Sequence, residues 1–249
     1  MGLTTKEFAQ RRPRWQWLAG AAAVVILAAS VGLMMRGGES SDIAEAPSRS
    51  ATPSSSAGKG SVLVQTPTLQ RSPTDPEWLT APPHRVSWQR VDGVPFPFSD
   101  SDGPARITGP IASGYSHTPQ GAVLAAAHIT FRLTWSPDYA AVIDAQAKVS
   151  AATRRQLLVA RDHGATIDPA VLAQVASAPV AFKIADYTES KASVYLAFPS
   201  RGENFRFAAV PVVWDEGDWK FSDEWDPDSA PDLPDSPSLS GFTSLREQP

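Results

Sequence analysis

The sequence predicts an α+β protein in which helices come first and a curved, three- or four-stranded antiparallel sheet comes last. Between residues 118 and 175, apolar residues recur at helical spacing, and three helix starts are marked by Thr-Pro, Ser-Pro or Asp-Pro. From residue 180 onward, apolar and polar residues alternate, which is typical of strands with one buried face. A block of helices followed by a block of strands is typical of the α+β class.

Composition excludes several classes of protein. The chain has 249 residues, no cysteine and a formal net charge of −4. Without cysteine there is no disulfide scaffold, thiolate zinc site or cysteine nucleophile. The acidic balance argues against general nucleic-acid binding, which usually needs a basic surface. We therefore expect no direct nucleic-acid partner.

The N-terminus has the pattern of a membrane anchor. Residues 1–16 form a basic arm, and Trp17–Met35 is an apolar run of 19 residues. A helix of that length spans roughly 28 Å, about the thickness of the hydrocarbon layer. The positive arm predicts a cytoplasmic N-terminus and an extracytoplasmic C-terminal domain of a single-pass cell-membrane protein. The alternative is a cleaved signal peptide, but the run is long for its apolar region.

Three further segments follow the apolar run. Residues 36–75 contain 21 Ser, Thr, Pro or Gly and no aromatic residue, which predicts a disordered linker. Residues 76–226 hold six of the eight tryptophans and predict one folded domain. Residues 227–249 have five Pro, five Ser and net charge −3, which predicts a disordered acidic tail.

The folded domain begins with a proline-rich stretch. Arg85–Val91 is a candidate strand, and Asp92–Gly93 is a candidate turn. Two prolines exclude Val94–Phe98 from the centre of a sheet, so we expect an extended segment that lays Phe96 and Phe98 on the core. We expect residues 99–114, in the second part of the proline-rich segment 92–114, to be irregular.

Four helices follow. Thr118 as N-cap and Pro119 at the first helical position predict a helix that ends at Ser136–Pro137. The same reasoning predicts three shorter helices at Tyr139–Gln146, Ala151–Asp162 and from Asp168–Pro169 to Val175.

Four strands complete the domain. They are predicted at Val180–Tyr187, Ala192–Phe198, Phe205–Trp214 and Trp219–Phe221. A two-residue hairpin loop at Glu216–Gly217 would place Trp214 opposite Trp219 across the ladder.

These features resemble two known architectures. The order of elements over residues 78–225, and the ending Val213–Lys220, resemble the nuclear-transport-factor-like (cystatin-like) cone and its closing hairpin. With an anchor and a linker added, the chain resembles the bitopic inner-membrane scaffold subunit of type IV secretion and conjugation systems. Residues 109–122 also look like actinobacterial single-pass proteins of conjugation-like elements. The resemblance implies an assembly role, and no functional residue is carried over.

Candidate chemistry is sparse. No pair among His84, His117, His128 and His163 has metal-ligand spacing, so we expect no metal and no cofactor. Tyr115 and His117 precede the long helix, where the favoured interpretation is capping and packing.

One pair of residues on a helix is a candidate for general acid–base catalysis. His128 and Arg132 stand four residues apart on the long helix, with Asp144 as a candidate partner. The competing interpretation is a solvated or ion-paired polar face.

Two further candidates lie near the C-terminal end of the domain. Asp215, Glu216 and Asp218 lack the spacing of a calcium-binding loop. Trp214 and Trp219 are typical of sheet packing or of the rim of a binding surface.

The sequence favours a non-enzymatic, membrane-anchored scaffold that binds itself or other subunits of a membrane machine by avidity. Alternatives are an envelope ligand-binding cone for a lipid, peptide or polyketide-like molecule, an acid–base enzyme of that fold, and an accessory subunit of a lipid importer. Candidate pocket or partner contacts are Tyr115, His117, His128, Arg132, Trp214 and Trp219.

Overall fold

A computed structural model describes residues 61–62, 71–162, 167–224 and 230–246. Its helices are α1 Pro119–Trp135, α2 Tyr139–Gln146, α3 Ala151–Asp162 and α4 Pro169–Val175. The strands before α1 are β1 Ser61–Val62, β2 Ser87–Val91, β3 Val94–Phe98, β4 Arg106–Thr108 and β5 Ile111–Ser113. The later strands are β6 Ala147–Lys148, β7 Ala181–Tyr187, β8 Lys191–Pro199, β9 Phe205–Asp215, β10 Asp218–Ser222 and β11 Thr243–Ser244.

The main sheet has six strands in the order β11-β7-β8-β9-β10-β6. Its neighbours are antiparallel except β10 and β6, which are parallel, so the sheet is mixed. Two smaller sheets are separate from it: β2 pairs with β3, and β4 pairs with both β1 and β5. All four predicted C-terminal strands are confirmed, with ends that differ by one residue at most.

Helix α1 is the centre of the core. Every residue from Pro119 to Thr134 is buried, because the sheet covers one side of the helix while β3 and β5 cover others. Its start is confirmed: the Thr118 side chain accepts a hydrogen bond from the backbone N–H of Gly121, and Pro119 takes the first turn. The bounds of α2, α3 and α4 also agree with the sequence prediction.

The last described segment covers the outer face of the sheet. Tyr195 donates its hydroxyl to the carbonyl of Pro231, and the rings of Phe207 and Phe242 lie 4.9 Å apart. Leu245 is only 1% exposed, and β11 pairs with β7. The prediction of a disordered tail is therefore wrong for residues 230–246, because their few apolar side chains cover a sheet face that would otherwise be open.

The predicted fold class is also wrong in its order and strand count. Five strands in the described part of the chain precede α1, and the main sheet has six strands, so a helices-first cone with a three- or four-stranded sheet is not what the chain forms. The prediction for Val94–Phe98 is confirmed: the segment is extended and, among the described strands, pairs only with β2, so Pro95 and Pro97 interrupt no central strand. Phe96 lies in the core and Phe98 packs against it. Residues 106–113, expected to be irregular, form the β4–β5 hairpin.

The predicted membrane anchor at Trp17–Met35 lies outside the described residues. Within the described part of the chain, no helix is long and apolar enough to cross a membrane. The expectation of a single-pass cell-membrane protein therefore has no support in the described residues.

Candidate functional site

The six residues singled out in the sequence fall into two clusters. A core cluster under the β2–β3 hairpin consists of Tyr115, His128 and Arg132. A surface cluster near the β9–β10 turn consists of the exposed His117, the half-buried Trp214 and, packed against both, Trp219, which is only 1% exposed.

The environment of His128 is aromatic and closed. The ring is fully buried, with centroids 5.1 Å from Phe96, 5.2 Å from Phe98 and 5.9 Å from Tyr115. Its Nε2 lies 2.6 Å from the carbonyl oxygen of Pro97. A carbonyl only accepts, so Nε2 carries the proton in the neutral ring and donates it.

The charge state of His128 follows from this environment. Burial lowers the pKa of His128 to about 3; the positive charge of Arg132 adds to the shift, and the hydrogen bond to Pro97 opposes it. The ring is therefore neutral at physiological pH. Asp144, its suggested partner, instead pairs with Arg154 at 2.6 Å on the surface, so the predicted His128–Asp144 pair is wrong.

Arg132 lies one turn after His128 and is only 6% exposed. Its Nη1 donates to the carbonyl of Pro110 at 2.7 Å, and its guanidinium carbon lies 4.8 Å from the centre of the Phe96 ring. Burial lowers the pKa of Arg132, and its Nε–H has no hydrogen-bond partner. The interpretation of His128 and Arg132 as a solvated polar face is wrong, because the β2–β3 hairpin covers that face.

The surface cluster is built around a stack. The ring of the exposed His117 lies 3.9 Å from the half-buried indole of Trp214, with only 8° between the two planes. Its Nε2 lies 2.5 Å from the carbonyl oxygen of Glu189. Trp219 stands edge-on to Trp214 at 5.3 Å, and the predicted placement of the two residues opposite each other is confirmed.

Two hydrogen-bond sets fix this cluster. The indole N–H of Trp219 donates to the carbonyl of Ser116 at 3.0 Å. The carboxylate of Asp218 accepts from the backbone N–H groups of Gly114, Tyr115 and Trp219 at 2.8, 3.2 and 2.9 Å. The predicted turn at Glu216–Gly217 is confirmed, since both residues have positive φ, 52° and 81°.

Sequence reasoning missed two members of the surface cluster. The ring of Tyr187 lies 6.0 Å from Trp219, and Trp78 stands edge-on to Tyr187 at 6.1 Å. Burial and the nearby charge of Glu189 raise the pKa of Tyr187 to about 12. Both residues lie in ordinary strand or turn sequence, so only their placement identifies them. The aromatic face is defined as Trp78, His117, Tyr187 and Trp214, which are exposed or half-buried, together with the buried Trp219 that supports them.

A buried polar cluster was also missed. Asp102 is 1% exposed and accepts hydrogen bonds from the backbone N–H of His84 and the side chain of Ser116. The Oδ2 of Asp102 that accepts from His84 also lies 3.4 Å from Nη1 of Arg71. With its oxygens so occupied, Asp102 organises the loops before α1. Among the described residues, no group of three His, Asp or Glu side chains is arranged to hold a metal ion.

Comparison with known proteins gives one positive result. A family model described as a domain of unknown function (DUF8175) matches residues 51–244, most of the chain. No curated protein and no solved structure matches significantly. The resemblance to secretion scaffolds stays a prediction that these comparisons do not test.

Proposed function

The chain belongs to the DUF8175 family, and we propose that it is a non-enzymatic assembly module whose aromatic face binds a basic surface of a protein partner. The observation that carries the proposal is the stack of His117 on Trp214 at the surface. Tyr, Trp and other aromatic side chains are enriched at protein interfaces, where their large rings bury area at low entropic cost.

The surroundings of the aromatic face favour a cationic partner. Glu189 is exposed, and its backbone carbonyl holds His117 while its carboxylate lies near Tyr187. Indole and phenol rings beside a carboxylate suit an arginine or lysine side chain, which can stack on a ring and pair with the acid. The net charge of −4 would steer such a partner toward the chain.

The sheet edges support docking by side chains rather than by strand addition. The two edge strands of the main sheet, β6 and β11, are each two residues long. Such short edges offer few free backbone groups for another strand to pair with. The aromatic face is therefore the more favourable docking surface of the described domain.

Quantitative affinity capture from native cells tests the proposal. The full-length chain is compared with H117A and with E189K, which keeps the backbone carbonyl but reverses the rim charge. We expect both variants to lose at least about 80% of a captured partner that has a basic surface, because one interface anchor or one rim charge is removed.

Two exposed positions away from the aromatic face serve as matched controls. Val159 on α3 is 50% exposed, and Glu203 lies in the exposed β8–β9 turn. V159A and E203K should capture the partner at the level of the wild type. Equal capture by all five proteins, with folding verified by circular dichroism, would contradict the proposal.

A further inference from the structure

A cleft opens beside the C-terminal end of α1, away from the aromatic face. Its volume is about 180 Å³. Its walls come from the tip of the β2–β3 hairpin, the β4–β5 turn, the α1–α2 junction and α4. The residues that matter here are Asp92, Phe96, Arg132, Trp135, Asp138 and Leu172.

Arg132 supplies a buried positive charge to the cleft. It is 6% exposed, and within the described residues no carboxylate lies within 4 Å of it. Its one hydrogen bond goes to the carbonyl of Pro110, and its Nε–H is left without a partner. A buried guanidinium that lacks a counter-ion is costly, so an anion that reaches it gains a strong, charge-assisted contact.

The remaining lining combines apolar walls with exposed acids. Phe96, Trp135 and Leu172 provide aromatic and aliphatic surface. Asp92 and Asp138 are exposed residues of the same cleft. One cleft therefore offers a cation, an apolar wall and two carboxylates.

We propose that this cleft binds a small aliphatic α-amino acid, with its carboxylate on Arg132 and its ammonium group toward Asp92 and Asp138. A zwitterion with an apolar side chain uses all three features, whereas a simple anion would be repelled by the two acids. The volume fits, because a cavity of about 150 Å³ already holds a benzene molecule.

The test is titration calorimetry of the full-length chain with three probes of similar size. Leucine carries both charges, leucinamide lacks the carboxylate, and 4-methylpentanoate lacks the ammonium group. We expect saturable leucine binding with a Kd on the order of 1 mM. Leucinamide should bind at least about tenfold more weakly and 4-methylpentanoate about threefold more weakly.

Variants separate the site from the rest of the surface. R132M should weaken leucine binding at least about tenfold, whereas R155M, which removes an exposed arginine on α3, should leave it unchanged. The double variant D92N/D138N keeps the fold, because both residues are exposed and the Asp138 side chain makes no capping hydrogen bond. It should weaken leucine binding about threefold and leave 4-methylpentanoate binding no weaker than in the wild type.

Three results would overturn the proposal. The first is the absence of saturable leucine binding to the wild type. The second is equal affinity for leucinamide and leucine. The third is unchanged leucine affinity in folded R132M or, if R132M does not fold, in D92N/D138N.

Discussion

The imidazole of His117 lies flat on the indole of Trp214, with ring centroids 3.9 Å apart. His117 precedes α1, and Trp214 lies near the end of β9, so the stack joins the start of the central helix to the last hairpin of the sheet. A third element takes part, because the carbonyl of Glu189 between β7 and β8 holds the imidazole. The aromatic face is thus assembled from three separate turns, which holds its rings in a fixed arrangement.

His128 should make the fold sensitive to acid. Its pKa is about 3 in the folded chain against 6.5 for the free side chain, so the unfolded state binds the proton first. Its contribution to the free energy of unfolding is complete above pH 6.5 and falls as the pH drops toward 3. Urea titrations should show wild type losing about 2–3 kcal/mol more than H128Q between pH 6.5 and 4.5. Parallel pH profiles for the two proteins would show that the ring is not buried in its neutral form.

Gly93 is required where the β2–β3 turn meets α4. Its φ is +83°, and a Cβ there would lie 2.2 Å from the carbonyl oxygen of Pro169. G93A should therefore lower the free energy of unfolding by at least about 2 kcal/mol in chemical denaturation. Gly202 is the matched control, since its φ is +69° but nothing lies within 4 Å of the added Cβ. G202A should lower the free energy of unfolding only by the backbone strain, about 1 kcal/mol. Equal losses of stability in G93A and G202A would contradict the close approach of Gly93 to Pro169.

Asp218 should contribute far more to the free energy of unfolding than an average acidic residue of the surface. Its carboxylate accepts three backbone N–H groups, and an amide at this position would turn its NH2 toward at least one of these donors. We expect D218N to lower the free energy of unfolding by about 1–3 kcal/mol. D144N, which removes a charge from an exposed ion pair with Arg154, should change it by less than about 1 kcal/mol. If the two variants lose the same stability, the Asp218 network does not hold the loop before α1.

The C-terminal segment should contribute to the stability of the sheet. Leu245 is 1% exposed, and its carbonyl accepts a hydrogen bond from the indole of Trp88 at 3.1 Å. L245A should cost about 2–4 kcal/mol in thermal or chemical unfolding, because a buried side chain is truncated. Leu239 in the same segment is only half-buried, and L239A should cost less than about 1 kcal/mol. Similar small losses for both would mean that the segment does not pack on the sheet in solution.

Local signals in the sequence predicted the later elements well. The Thr118–Pro119 pair predicts the start of α1, because the Thr118 hydroxyl accepts a free backbone N–H of the first turn and a proline there needs no N–H donor. The two-residue loop at Glu216–Gly217 gives the Trp214–Trp219 register, because a tight turn leaves one pairing. These features depend only on residues close in the chain.

The features that failed depend on distant partners. Residues 99–114 were expected to be irregular, yet Arg106–Thr108 pairs with Ser61–Val62, far earlier in the chain, and with Ile111–Ser113. Composition predicted disorder after residue 227, yet Phe242 packs against Phe207 of the sheet and Leu245 is buried. Helical spacing placed Arg132 on a polar face, but the hairpin that buries it belongs to another part of the chain.

The most direct test of the assembly role is site-specific photo-crosslinking in native cells. A benzophenone amino acid replaces His117 in the full-length chain, where an aromatic ring can keep the contact with Trp214. The same amino acid replaces Val159, an exposed position on α3, as the control. The account predicts adducts with a basic protein surface from position 117 and none of these from position 159. Absence of adducts at position 117, or the same adducts at both positions, would contradict a partner-binding aromatic face.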